Sequence, residues 1–303
     1  GVVGLGHLGS NHARIYSQLK NTALSGICDI NEATCKKLAK KYHTEYYLNY
    51  EDLFGKVDAV SIATPTALHY KIAKDFLEAG IHVLVEKPIT KTVEEADKLL
   101  EIQKEKNLII QVGHIERFNS AINAMFDVIN EPRFIECHRL SKYLKRAVEV
   151  GVVLDLMIHD IDIILELVNS DVQSIDAIGA NILSKTEDIA NVRIKFKNGA
   201  VANITASRLA AKAKRKIRIF QKDAYISLDY LNQEAYIFRR NDGKIVRRKL
   251  PVKKEEPLKR ELESFVTSVL ENKTPIVSGT EAKKALVVAI DITRQIQSLK
   301  YGP

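Results

Sequence analysis

Over the first 125 or so residues, short apolar runs alternate with amphipathic stretches. That alternation is the pattern of a parallel sheet covered by helices on both faces. Val2 and Val3 lead into Gly4-Leu5-Gly6-His7-Leu8-Gly9, after which Ala13, Ile15, Tyr16 and Leu19 recur at roughly helical spacing. So short an apolar lead-in places the start of the opening strand upstream of Gly1. A second strand is expected from Leu24 to Cys28, ending at Asp29, and a further one from Val57 to Ala63 before Thr64-Pro65-Thr66 breaks the pattern. A helix follows from about His69 to Ala79, stopped by Gly80. Ile81 to Val85 is a short strand running into Glu86-Lys87-Pro88, Thr92-Val93-Glu94-Glu95 is a capping box, and Leu108 to Val112 reads as the sixth strand.

Beyond about residue 130 the period changes to two. Val192, Ile194 and Phe196 alternate with Arg193, Lys195 and Lys197, which gives a strand with one buried and one wet face. Asn198-Gly199 makes a hairpin into Val201 to Ala206, and Asn241-Asp242-Gly243 joins Ala235–Phe238 to Lys244–Leu250. Pro257 opens a helix reaching Leu270, and Glu281 to Leu299 is another. The fold class expected is α/β: an N-terminal Rossmann dinucleotide-binding domain, residues 1–125, and a C-terminal α+β domain, residues 126–303, with a largely antiparallel open sheet. The final helix is free to pack back on the first domain.

A chain of 303 residues suits two domains, and 46% hydrophobic with 28% charged residues suits a globular protein. No apolar stretch reaches the ~20 residues that span a bilayer. The most apolar run, Leu154 to Val168, carries Asp155, His159, Asp160, Asp162 and Glu166, so no membrane partner is expected, and no signal peptide is visible. Cys28, Cys35 and Cys137 form no C-x-x-C pair, which favours a reducing cytoplasm and a buried apolar role for each. The net charge of +8 would suit nucleic acid, yet the basic residues form no reading motif. An anionic cofactor and substrate account for part of that charge equally well, so no nucleic-acid partner is expected.

The glycine motif changes the picture more than composition does. Gly4, Gly6 and Gly9 allow a tight turn and close backbone approach to a pyrophosphate, which the amides of His7, Leu8 and Gly9 at a helix N-terminus attract. Asp29 lies about 20 residues past the last glycine, where such units place the acid that binds the ribose. Its charge would oppose a 2′-phosphate, so NAD is favoured over NADP. Ligands of these sheets sit beyond the carboxyl ends of the strands, which adds Thr64, Pro65, His69, Glu86 and Lys87 to the cofactor-binding candidates. A glycine turn that only packs a helix, and a lysine that is only a surface charge, are the bland alternatives.

One helix of the second half carries a polar stripe, with Asp155, His159, Asp162 and Glu166 on one face of an otherwise apolar segment. Burying such groups is costly unless they are paired, so the stripe should face solvent or a polar cleft. With Asp155 one turn back to orient it, His159 suits general acid/base work. A metal would need further ligands, and no second histidine stands at ligand spacing, so none is expected.

With the glycine motif, Glu86-Lys87-Pro88 and Asp155-x-x-x-His159 in this order, the chain resembles the Gfo/Idh/MocA oxidoreductase family over essentially its whole length. The resemblance implies NAD as cofactor, Lys87, Asp155 and His159 as the catalytic set, and a homo-oligomer, dimer or tetramer. The family often has a glycine run before the Asp, where this chain has only Gly151. Gly4–Tyr16, Val112–Asn119 and Leu154–Leu165 look most like the branch of UDP-N-acetylglucosamine 3-dehydrogenases. That likeness implies a nucleotide-sugar substrate met by Lys87, His159, Arg117 and Arg208, the last in the basic run Arg208 to Arg218. Solvated edge-strand side chains are the plain alternative for that run. An inositol or simple-sugar dehydrogenase is the alternative within the family. A non-catalytic dinucleotide sensor is the alternative outside it, although a sensor has no need for Lys87 and His159.

Overall fold

The structure is a computed structural model that describes residues 1–143 and 150–300. Its chain divides into two compact units, residues 1–115 with 256–283, and residues 116–255 with those from 284 onward.

In the first unit six parallel strands form a sheet: β1 (Val2–Val3), β2 (Gly26–Cys28), β3 (Glu45–Tyr47), β4 (Ala59–Ile62), β5 (His82–Glu86) and β6 (Ile110–Gly113). Their order is β3-β2-β1-β4-β5-β6, so the winding reverses between β1 and β4 and opens a crevice at their carboxyl ends. Strand β3 is the one the sequence pattern left unplaced, an edge of Glu and two tyrosines with little apolar alternation to betray it. Helices α1 (His7–Tyr16), α2 (Glu32–Tyr42), α3 (His69–Glu78) and α4 (Val93–Lys106) connect the strands. Asn31 caps α2 by accepting from Thr34 N, and Thr92 with Glu95 forms the expected capping box of α4. Helix α1 starts at Gly6 with no side-chain cap, leaving its first amides for a ligand.

The division differs from the expected one at residue 125. Helix α5 (Ser120–Phe126) buries Ala121, Ile122 and Met125 in the second core, which draws the boundary back to Ile115. The chain then returns to the first unit through α7 (Pro257–Glu271), where Leu258, Leu262 and Phe265 join a core containing Val2, Ile15 and Ile27. The last helix, α8 (Gly279–Lys300), does not pack back as a whole. Gly279 lies against Leu100 and Ile110 of the first unit, whereas Ala285, Ala289, Ile292 and Ile296 are buried in the second core.

The second unit holds an eight-stranded sheet of β7 (Phe134–Leu140), β8 (Val172–Ala180), β9 (Ile189–Phe196), β10 (Val201–Ser207), β11 (Lys214–Phe220), β12 (Ala224–Asp229), β13 (Glu234–Asn241) and β14 (Lys244–Lys249). The order is β14-β13-β12-β11-β7-β10-β9-β8, antiparallel except where β10 runs parallel to β7. Both expected hairpins form, with Gly199 and Gly243 at φ 86° and 79°. Val192, Ile194, Phe196 and Ile204 all turn inward and are fully buried with α6 (Ile158–Val168), while Val201 lies half-buried on the other face. That outer face carries a lane of rings across four strands, Phe134, Phe220, Tyr225 and Phe238, with successive centroids 5.6, 4.8 and 4.9 Å apart. The positive charge is unevenly spread. Eight basic residues and one acid lie from Arg239 to Lys254, so most of the net +8 sits on and just after the β13–β14 hairpin.

Charge is also buried in this unit. Arg139 on β7, 2% exposed, donates Nε and Nη2 to Asp160 of α6 at 2.8 and 3.1 Å and Nη1 to Glu116 at 2.9 Å. Burial opposes the charge on Glu116, but Arg139, Arg215 and Asn119 outweigh it and hold the carboxyl below the usual range. Arg139→Met strands two buried carboxylates and is expected to cost about 3–5 kcal/mol in urea unfolding. Because Glu116 is depressed in the fold, its contribution is complete above the ordinary carboxylate range and lost as pH falls through the lowered value. The acid-unfolding midpoint of Arg139→Met should therefore lie at higher pH than that of the parent protein.

Candidate active site

The turn from β1 into α1 is built by contact distances. Gly4 has φ 87°, and a Cβ there would stand 2.7 Å from the carbonyl oxygen of Ala63. At Gly9 a Cβ would fall 1.7 Å from Gly4 O, so the first turn of α1 lies directly on the loop. A Cβ on Gly6 would meet nothing within 4 Å. The space in front of Gly6 is thus open, at an uncapped helix start where an anion is favoured. His7 and Leu8 are exposed on that same turn.

Asp29 follows β2 and uses both carboxylate oxygens on backbone amides, Oδ2 accepting from Leu5 N at 2.6 Å and Oδ1 from Asn31 N at 2.8 Å. An ionised carboxylate has about four acceptor directions, so capacity remains for two ribose hydroxyls. Beyond β4, Thr64 Oγ1 is buried with no hydrogen-bond partner among the described residues, and Pro65 is exposed. An orphaned hydroxyl beside an open glycine turn is what a polar ligand would complete. These residues fit a dinucleotide.

His69 and Glu86, expected among the cofactor contacts, are buried and bonded to other parts of this unit. His69 is 1% exposed, with Nδ1 2.8 Å from Pro88 O and Nε2 2.9 Å from Thr64 O. Burial lowers its pKa against the pull of those two carbonyls. Its ring ties the loop after β4 to the loop after β5. Glu86 is 8% exposed and turns its Oε1 to His12 Nε2 at 3.1 Å. Lys87 follows it, half-buried at the carboxyl end of β5.

In the second unit the stretch carrying Asp155 is not regular α-helix. Val153–Met157 forms a π-helical turn, and α6 begins only at Ile158. Asp155 and His159 are both half-buried, and His159 Nδ1 is buried. The wide turn arises where Glu187 packs under the chain. Its carbonyl accepts from Val152 N at 3.1 Å, its Oε1 accepts from Val153 N at 3.4 Å, and a Cβ on Gly151 would stand 1.8 Å from that Oε1. A side chain at Gly151 would displace that carboxylate.

The expected polar stripe divides in two. Asp162, 3% exposed, and Glu166 lie 3.7 and 3.2 Å from the guanidinium of Arg117, itself 6% exposed. Arg117, expected at the substrate, thus anchors the far end of α6. Arg208, 5% exposed, donates to Val150 O and Glu187 O and lies 3.6 Å from Asp188, so it braces the loop leading to Asp155. Burial would raise the Asp188 carboxyl, but Ser184 and the amides of Leu183 and Ile182 hold it at about 2. His12, Glu187 and Asp188 were not singled out in the sequence. His12 and Glu187 act through partners distant along the chain, which no spacing rule reports.

Comparison with known proteins finds matches for both halves of the chain. Residues 1–114 match the profile described as "Oxidoreductase family, NAD-binding Rossmann fold", and residues 112–227 match the GFO/IDH/MocA C-terminal domain. The chain is similar to UDP-N-acetylglucosamine 3-dehydrogenase of Acidithiobacillus ferrooxidans, at 32% identity over 98% of this chain and 97% of that one. A solved structure of that enzyme superposes with a TM-score of 0.93, covering 98% of this chain and 97% of its own. Myo-inositol 2-dehydrogenase of Thermotoga maritima is 25% identical over 98% of this chain and 96% of its own length. The scyllo-inositol 2-dehydrogenase (NAD(+)) of Bacillus subtilis is 27% identical over 98% and 93%. With both halves matched and the dinucleotide crevice formed at the strand reversal, the chain belongs to the Gfo/Idh/MocA family of NAD-binding oxidoreductases.

Proposed function

We propose that this oxidoreductase oxidises a secondary hydroxyl of a nucleotide sugar, the 3-hydroxyl of UDP-N-acetylglucosamine. The observation that carries the reading is the presence of Lys87 at a strand end and of His159 with Asp155 at a π turn, in a chain matched nearly end to end with an enzyme of that name. Inositol dehydrogenases match at lower identity, which makes a cyclitol the second substrate class to try.

When bound, NAD supplies the hydride acceptor. Gly4, Gly6 and Gly9 with the first amides of α1 would receive its pyrophosphate, Asp29 its ribose hydroxyls, and Thr64 Oγ1 one of its polar groups. His159 takes the hydroxyl proton at Nε2, the nitrogen opposite its buried Nδ1, and Asp155 favours the resulting imidazolium. Lys87 has the role of stabilising the negative charge that develops on a substrate oxygen. Burial raises all three thiols, that of Cys28 to about 12, so none serves as a nucleophile at neutral pH. Free, buried cysteines fit a reducing cytoplasm. The half-buried ring lane on the outer sheet face fits self-association, with a second copy of the chain as its cover.

Absorbance at the nicotinamide band across UDP-sugars, free sugars and inositols tests the substrate. Turnover is expected with UDP-N-acetylglucosamine and not with inositols, and the opposite result overturns the reading. His159→Ala and Lys87→Ala should each lower turnover by roughly 100-fold or more while NAD still binds. Near-normal turnover of both would favour a dinucleotide sensor instead. Asp29→Asn keeps an acceptor for Leu5 N, and it should weaken NAD while narrowing the gap to NADP, as measured by fluorescence titration. In sedimentation at micromolar concentration the protein should be a dimer or tetramer, and Tyr225→Arg should shift it toward monomer.

A further inference from the structure

Beneath the first turns of α1 lies a buried polar pair that the mechanism above does not use. His12 is fully buried, and its Nε2 is 3.1 Å from Glu86 Oε1. Its Nδ1 has no hydrogen-bond partner among the described residues, so the tautomer with hydrogen on Nε2 serves the pair and donates to the carboxylate. The other oxygen, Glu86 Oε2, accepts from Lys87 N at 3.3 Å. Glu86 is in register with Gly113 of β6, where a Cβ would stand 2.7 Å from that oxygen, so the neighbouring strand is cut away to admit the carboxylate. One turn further along α1, Tyr16 Oη and Ser61 Oγ of β4 are 2.8 Å apart. The face of α1 behind the pyrophosphate turn is thus pinned to β5 and β4 by directional contacts.

From α7 the fully buried Glu261 faces the same cluster. Burial lifts its carboxyl well above the usual range, and the charge of Glu86 adds to the effect, so Glu261 stays neutral. Burial also opposes the charge on Glu86, but His12 and Lys87 outweigh it and keep Glu86 ionised. The ionised carboxylate of Glu86 thus stands at the residue preceding Lys87, with His12 as its partner.

We propose that His12 is a positioning residue for Lys87: through Glu86 it fixes the end of β5 to the helix that receives the pyrophosphate, so that the lysine amine is set relative to the bound cofactor. This rests on the reading of Lys87 as a catalytic group. A pair serving only stability would be replaceable by apolar side chains of similar volume. A pair that sets geometry is not, because displacing a reacting group by about 1 Å costs on the order of 100-fold in rate.

The test uses the full-length protein with NAD and the nucleotide sugar. His12→Leu and Glu86→Gln are expected to lower kcat by about 10- to 100-fold, with little change in the Kd for NAD read by fluorescence. His12→Gln, whose Nε2 can reach the same oxygen, should recover most of the rate. In a Lys87→Arg background His12→Leu should cost little more, because residues acting as one unit are not additive. Independently of turnover, the acylation rate of the Lys87 amine, followed by mass spectrometry on the NAD complex, should change in His12→Leu and return in His12→Gln. Full additivity with Lys87→Arg, or a parent-like acylation rate in His12→Leu and Glu86→Gln, would overturn the proposal. If Lys87→Ala alone turns over normally, the catalytic reading fails, and the acylation measurement still decides whether His12 positions the amine.

Discussion

A carboxylate taken out of water must be met by a donor or it will not stay charged, and this chain buries one beside two of its candidate catalytic side chains, Lys87 and His159. Glu86 precedes Lys87 and is met by His12, and Asp160 follows His159 and is met by Arg139. The neighbours of a functional side chain decide where its backbone can go. An apolar neighbour would allow sliding by tenths of an ångström at little cost. A hydrogen-bonded carboxylate restricts both distance and direction, and losing it leaves a charge stranded at a cost of about 3–5 kcal/mol. The same device recurs at Asp188 with the amides of its own loop. Helix α6 is held on two sides by arginines from other elements, and the residues between those anchors have little freedom.

The glycine loop works by the opposite means. Gly9 leaves no room for any side chain, because Gly4 O occupies the place of its Cβ, and Gly4 is itself pressed against Ala63 O. Three backbones, at the ends of β1 and β4 and the start of α1, are therefore in contact. Gly6 alone opens outward. The strand reversal supplies the crevice, and steric exclusion rather than hydrogen bonding shapes its floor.

Much of this was legible in the sequence, and the part that was not has a physical explanation. Strands β5 and β6, the capping box at Thr92 and both hairpin turns appear where local period and turn chemistry put them, because local interactions fix them. The division at Ile115 and the return of α7 to the first unit were not legible, since they depend on which core Met125 and Phe265 enter. The stripe from Asp155 to Glu166 shows the limit best. A helical wheel places its members on one face, but the π turn shifts Asp155 out of that register and Arg117 claims the lower half. Hydrophobic period reports which face is buried, and it says nothing about which buried acid has found an arginine.

Asp29 shows why recognition and architecture cannot be separated in the first unit. Its charge would discriminate against a 2′-phosphate, yet the same carboxylate holds Leu5 N inside the glycine loop and Asn31 N at the start of α2. Removing the side chain to admit a phosphate would also release the loop that must receive the pyrophosphate. A change of cofactor preference in this fold therefore requires a substitute acceptor for Leu5 N before any gain from lost repulsion can appear.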